Sequence, residues 1–134
     1  MPDYISTRGV HHVTLTVSDV ERAREFYTAV LGFKLAGEFG PRVLLSNGGM
    51  ILALGPALDP TRAAAGDRFD ENRVGLDHLS LSVDTRDELE QALRTLDERG
   101  IPHGEIVDLT DLQIYVLMLR DPDNIQLELT APHS

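Results

Sequence analysis

Three side chains in this 134-residue chain could together hold a divalent metal ion: His12, His78 and Glu128. Two imidazoles and one carboxylate are a ligand set that leaves coordination positions open to water or a small-molecule substrate. Cysteine is absent, which excludes disulfides, thiolate metal sites and cysteine nucleophiles, so a metal must sit on His, carboxylate and water. Such a site weakens at acid pH, because imidazole must be neutral to ligate.

Strand parity groups these residues. Side chains along a strand alternate between two faces. In residues 9–17 Val13, Leu15 and Val17 share an aliphatic face, while His12 shares the other with Thr14 and Thr16; His11 falls on the aliphatic side or at the strand entry. In residues 75–83 Leu79, Leu81 and Val83 oppose His78, Ser80 and Ser82, and near the C-terminus Ile125, Leu127 and Leu129 oppose Gln126, Glu128 and Thr130. A polar strand face is also what a solvated antiparallel sheet presents, and a lone His or Glu on a strand is more often a hydrogen-bonded surface group than a ligand. Two repeat-related histidines with a carboxylate shift the balance toward a metal.

The repeat organises the whole chain. The segments beginning at Gly9 and Gly75, an offset of 66, read alike, and each runs into a capping-box pattern, Ser18 to Glu21 and Thr85 to Glu88. Apolar residues at helical spacing follow, Val20, Ala23, Phe26, Tyr27, Val30 and Leu31 in the first copy and Leu89, Ala92, Leu93 and Leu96 in the second. Gly32 and Gly100 then mark left-handed helix ends. Strands are predicted at 33–39, 42–46 and 50–54, and again at 102–107, 113–119 and 125–129, with turns at Asn47-Gly48-Gly49 and at Asp121 to Asn124. The reading is an α+β domain spanning 1–134, built of two βαβββ modules, about 9–54 and 75–132, whose strands form a cupped, mixed, eight-stranded sheet around a cavity. Residues 55–74 join the modules, as a solvent-exposed connector or as a lid over the site.

Composition narrows the partners. A formal net charge of −10 opposes a phosphate backbone, which excludes nucleic acid. No apolar run approaches the roughly 18 residues of a membrane span, and the N-terminus lacks an export-signal pattern, so a cytoplasmic protein with no membrane partner is expected.

Residues His12 to Val17, Glu25 to Phe33, His78 to Val83 and Asp121 to Leu129, in this order and spacing, resemble the vicinal oxygen chelate superfamily, which includes glyoxalase I, fosfomycin-resistance enzymes, extradiol dioxygenases, methylmalonyl-CoA epimerase and bleomycin-resistance proteins. The resemblance covers about residues 9–132. It implies metal ligands at His12, His78 and Glu128, and a fourth position near Ala53, which cannot ligate; this disfavours glyoxalase I chemistry. Three-ligand members carry a Tyr ten residues before the metal Glu, where this chain has Met118 (128 − 10). The expected function is a metal-dependent small-molecule enzyme binding Fe, Mn, Zn or Ni, dioxygenase- or lyase-like and in its sharpest form an extradiol dioxygenase, with His103 as a candidate for proton transfer. The alternative is a protein that sequesters an antibiotic or other small molecule, as bleomycin-resistance proteins do. The resemblance also implies a homodimer, with the site formed within one chain or across the interface.

Overall fold

A computed structural model describes residues 3–134. Its elements run β1 (His12–Thr16), α1 (Val20–Ala29), β2 (Lys34–Phe39), β3 (Arg42–Ser46), β4 (Ile51–Gly55), β5 (Leu79–Ser82), α2 (Arg86–Glu98), β6 (Val107–Leu109), β7 (Ile114–Arg120) and β8 (Gln126–Pro132), with short 3-10 turns at Pro60–Arg62 and Thr110–Leu112. The βαβββ order therefore occurs twice. The strands form two four-stranded mixed sheets, β1-β4-β3-β2 and β5-β8-β7-β6. In each the first strand pairs in parallel with the last and the remaining pairs are antiparallel. The chain divides into two compact units, Met1–Ala63 and Ala64–Ser134, so the second half of the connector belongs to the second unit.

In the first unit the aliphatic face takes Leu15, Val43, Leu45, Leu52 and Leu54, all buried, and α1 packs on it through Ala23, Phe26 and Tyr27. Tyr27 is fully buried and meets Phe26 and Phe33 edge-on, at ring distances of 5.1 and 6.2 Å, the arrangement that ring quadrupoles favour. In the second unit Leu81, Leu117, Leu119, Leu127 and Leu129 bury the equivalent face under Leu89 and Leu96 of α2. In both units the polar strand faces lie opposite the helix.

The turns follow their residues. Asn47 Oδ1 accepts from the amides of Gly49 and Met50, and Gly48 takes φ 89°. The buried Asp121 carboxylate accepts from the amides of Asp123 and Ile125, both at 2.8 Å, and Asn124 takes φ 67°, a conformation that Asn tolerates better than most residues. Gly32 and Gly100 adopt φ 73° and 65° as helix ends require.

Three local expectations are corrected. The cap of α1 is Asp19, which accepts from Arg22 N, rather than Ser18; the carboxylate reaches the N3 amide from one residue further on. At α2 Thr85 is the cap as expected, but Glu88 turns to the amide of Asp84 instead of that of Thr85. The strand predicted at 102–107 is displaced to β6, with only an isolated bridge between His103 and Leu119 before it. Pro102 has no N–H for the ladder; its carbonyl accepts from Arg120 N, Gly104 N donates to Met118 O, and the pairing register has slipped by one residue when Val107 meets Val116.

Candidate metal centre

The register puts the candidate ligands on definite faces. His12 pairs across to Ile51 and Thr14 to Ala53, so His12, Thr14 and Ala53 share the face away from α1. Ser80 pairs with Glu128 and Ser82 with Thr130, so the residues two before and at these positions, His78 included, share the face away from α2. Because Thr14 and Ser80 are repeat-equivalent, Ala53 occupies the place in the first sheet that Glu128 holds in the second. A carboxylate in one copy is an alanine methyl in the other.

His78 and Glu128 come together in the second unit: His78 Nε2 lies 3.7 Å from Glu128 Oε2. Glu128 is 8% exposed, and its other oxygen, Oε1, accepts from Thr130 Oγ1 at 2.9 Å. Thr130 Oγ1 lies 2.5 Å from Ser80 Oγ; since the Thr130 proton goes to the carboxylate, Ser80 donates to Thr130. On the other side, His78 Nδ1 lies 2.7 Å from Asp77 Oδ1. Each member of the pair thus has its far atom tied down and its near atom aimed at the other.

His12 lies in the first unit, exposed at the start of β1, with its Nδ1 2.9 Å from Nδ1 of His11. Among the described residues no three His, Asp or Glu side chains form a single metal-sized cluster. Sequence reasoning placed Ser80 and Thr130 on the right face but passed over their role, and passed over Asp77 altogether. The only signal for Asp77 was an acidic residue immediately before a candidate ligand.

His103 sits on the opposite face of the second sheet. Its bridge to Leu119 puts it on the α2 side, where Nδ1 donates to Gly104 O at 2.5 Å and Nε2 to Asp97 Oδ1 at 2.6 Å. Both partners only accept, so the ring carries both protons; the Gly104 carbonyl first, and then Asp97, hold its pKa above the ordinary 6.5. The cation stands at the C-terminal turn of α2, where the helix has no basic residue of its own. A folded pKa raised above the unfolded one gives stability that is complete below about 6.5 and lost as pH rises through the folded value. In urea unfolding at a series of pH values, His103→Ala is therefore expected to be less stable than wild type at mildly acid pH, with the gap closing as pH rises above neutrality. A gap independent of pH would show that the ring does not titrate as described.

Met118 pairs directly with Glu128 on the same face, so a thioether stands beside the carboxylate. Tyr115 lies on the helix face, 5.3 Å beneath the Arg86 guanidinium and 4.5 Å from the ring of His133.

A family model described as the Glyoxalase/Bleomycin resistance protein/Dioxygenase superfamily matches residues 9–129. The chain belongs to this superfamily. Within it, the chain is similar to a glyoxylase/bleomycin resistance protein/dioxygenase domain from Frankia sp. EAN1pec, at 32% identity and a TM-score of 0.78, covering 95% of this chain and 93% of that one. It is also 30% identical to the protein YwkD of Bacillus subtilis (strain 168), covering 91% of this chain and 95% of the relative. The fosfomycin resistance protein FosX from Mesorhizobium loti shares the superfamily fold at a TM-score of 0.69 and 16% identity, covering 94% of this chain and 93% of that one. No described helix is long and apolar enough to cross a membrane.

Proposed function

We propose that the chain is a metal-dependent enzyme acting on a small molecule with two adjacent oxygens, and that His12, His78 and Glu128 hold one divalent ion: iron, manganese, zinc or nickel. The observation that carries this reading is the 3.7 Å approach of His78 Nε2 to Glu128 Oε2 with both far atoms restrained. Two donors about 2.1 Å from a shared ion stand about 3.0–3.4 Å apart, so the pair needs to close by only a few tenths of an ångström. His12 enters as the repeat equivalent of His78, and Ala53 leaves the equivalent of Glu128 without a protein donor, which keeps coordination positions free for substrate. When bound, the ion would chelate the two oxygens and stabilise negative charge developing on one of them.

The chain's own part is to orient and to exclude. Thr130, supported by Ser80, keeps Glu128 Oε2 turned inward, and Met118 provides an apolar wall with no proton to give. Without a tyrosine there, and without a carboxylate at Ala53, proton transfer must come from the substrate, from water or from a group this face does not carry. If the ion is Fe(II), ring-opening dioxygenation of a catechol-like substrate, with both oxygen atoms supplied by O2, is the sharpest version of the reading. The edge strands β1, β2, β5 and β6 give a physical motive for a homodimer, since unpaired edges otherwise invite uncontrolled pairing.

Protein purified without chelator, then titrated with Mn²⁺, Zn²⁺, Ni²⁺ and anaerobic Fe²⁺, is expected to retain or take up one ion per chain, with affinity falling as pH drops and imidazole protonates. Uptake of none of the four ions would overturn the enzyme reading and leave metal-free sequestration of a small molecule.

A further inference from the structure

The ligand pair is joined to the connector by an unbroken run of polar contacts. Arg120, at the end of β7, sends Nη1 to Glu71 Oε1 at 2.9 Å and Nη2 to Glu71 Oε2 at 2.8 Å, a two-pronged pairing with fixed geometry. Nη2 also donates to Gln126 Oε1 at 3.3 Å, and Gln126 Nε2 donates to Asp77 Oδ1 at 3.0 Å and to the Asp77 carbonyl at 3.1 Å. Asp77 Oδ1 then meets His78 Nδ1. The direction of the run is fixed by chemistry. A guanidinium only donates and a carboxylate only accepts, so the Gln126 amide satisfies both neighbours in one orientation alone. Asp77 accepts in turn from His78, which places that proton on Nδ1 and leaves the Nε2 lone pair facing Glu128.

The connector is held on the second unit by more than this ion pair. Phe69 N donates to Asp123 O at 2.9 Å, and Asn124 Nδ2 donates to Phe69 O at 3.0 Å. The Arg120 guanidinium keeps the Glu71 carboxyl down at about 2, so the clamp stays charged through the neutral range. We propose that Asp77 and Gln126 are positioning residues that set the tautomer and ring orientation of His78, and that the docked connector, through Glu71 and Arg120, keeps them in register. As far as a metal is concerned, this rests on the function proposed above. Because coupling between two equilibria is reciprocal, occupation of His78 Nε2 should also tighten the connector.

The test separates the two claims. Imidazole ¹⁵N–¹H spectra of the full, metal-free chain, recorded where histidine is neutral, are expected to show His78 as a single Nδ1–H tautomer. Asp77→Ala should shift it to a mixture or to Nε2–H, and Asp77→Leu, which likewise offers no acceptor, serves if the alanine variant does not fold. Zn²⁺ affinity should fall about 10- to 100-fold in the Asp77 variant, as is usual when the outer partner of a ligand is removed. Glu71→Gln should give a smaller fall together with faster hydrogen exchange at the Phe69 amide. Saturating Zn²⁺ should slow that exchange in wild type. A wild-type His78 in the Nε2–H form, or a tautomer indifferent to Asp77, overturns the positioning role. A tautomer that responds to Asp77 in a protein that binds no Zn²⁺ supports the positioning role and defeats the metal reading.

Discussion

Replacing His78 with alanine is expected to lower Zn²⁺ affinity by more than about 100-fold while leaving the fold intact. Removing the outer partner of a ligand already costs about 10- to 100-fold, and removal of the ligand itself exceeds this. The side chain is 33% exposed and precedes β5 rather than lying within it, so little packing is lost, and the lost contact with Asp77 should cost about 0.5–1.5 kcal/mol. Calorimetric titration with Zn²⁺ beside urea unfolding of the same sample distinguishes a lost ligand from a damaged fold. Affinity within a factor of a few of wild type would remove His78 from the site.

Leu127→Ala is expected to be the most damaging of the substitutions considered for stability, at roughly 2–5 kcal/mol. Leu127 is fully buried, pairs with Leu79 and Leu119 across two neighbouring strands, and faces α2. It also stands between Gln126 and Glu128, so the hydrocarbon that fixes β8 on one face fixes both of those polar side chains on the other. The urea midpoint should fall with little change in slope, because the surface exposed on unfolding barely changes. A loss under about 1 kcal/mol would mean that the helix face tolerates a cavity there.

Much of this arrangement was legible in the sequence because it depends on period and on repetition. Alternation along residues 12–17, 78–83 and 125–130 assigned faces that the strand register reproduces, and the copy at an offset of 66 paired His12 with His78. Ala53 entered through the family resemblance, and the register sets it opposite Thr14 as Glu128 stands opposite Ser80. The glycine helix ends and the Asp121 turn were legible because their backbone conformations admit few residue types. What was not legible depends on side-chain reach between segments distant in sequence. Glu71 meets Arg120 across 49 residues and Gln126 meets Asp77 across another 49, and neither pairing leaves a periodic trace. His103 shows the limit differently: its residue type suggests proton transfer, while Asp97 and the Gly104 carbonyl hold both nitrogens on the helix face. The connector, left open between a solvent-exposed link and a lid, is divided, with residues from Ala64 onward belonging to the second unit.

The central claim, that His78 and Glu128 ligate one divalent ion, is tested most directly by anomalous scattering from crystals grown with Mn²⁺. The account predicts a single strong anomalous peak about 2.0–2.3 Å from both His78 Nε2 and Glu128 Oε2. Mn²⁺ density only at other acidic groups, with none between these two atoms, would contradict it.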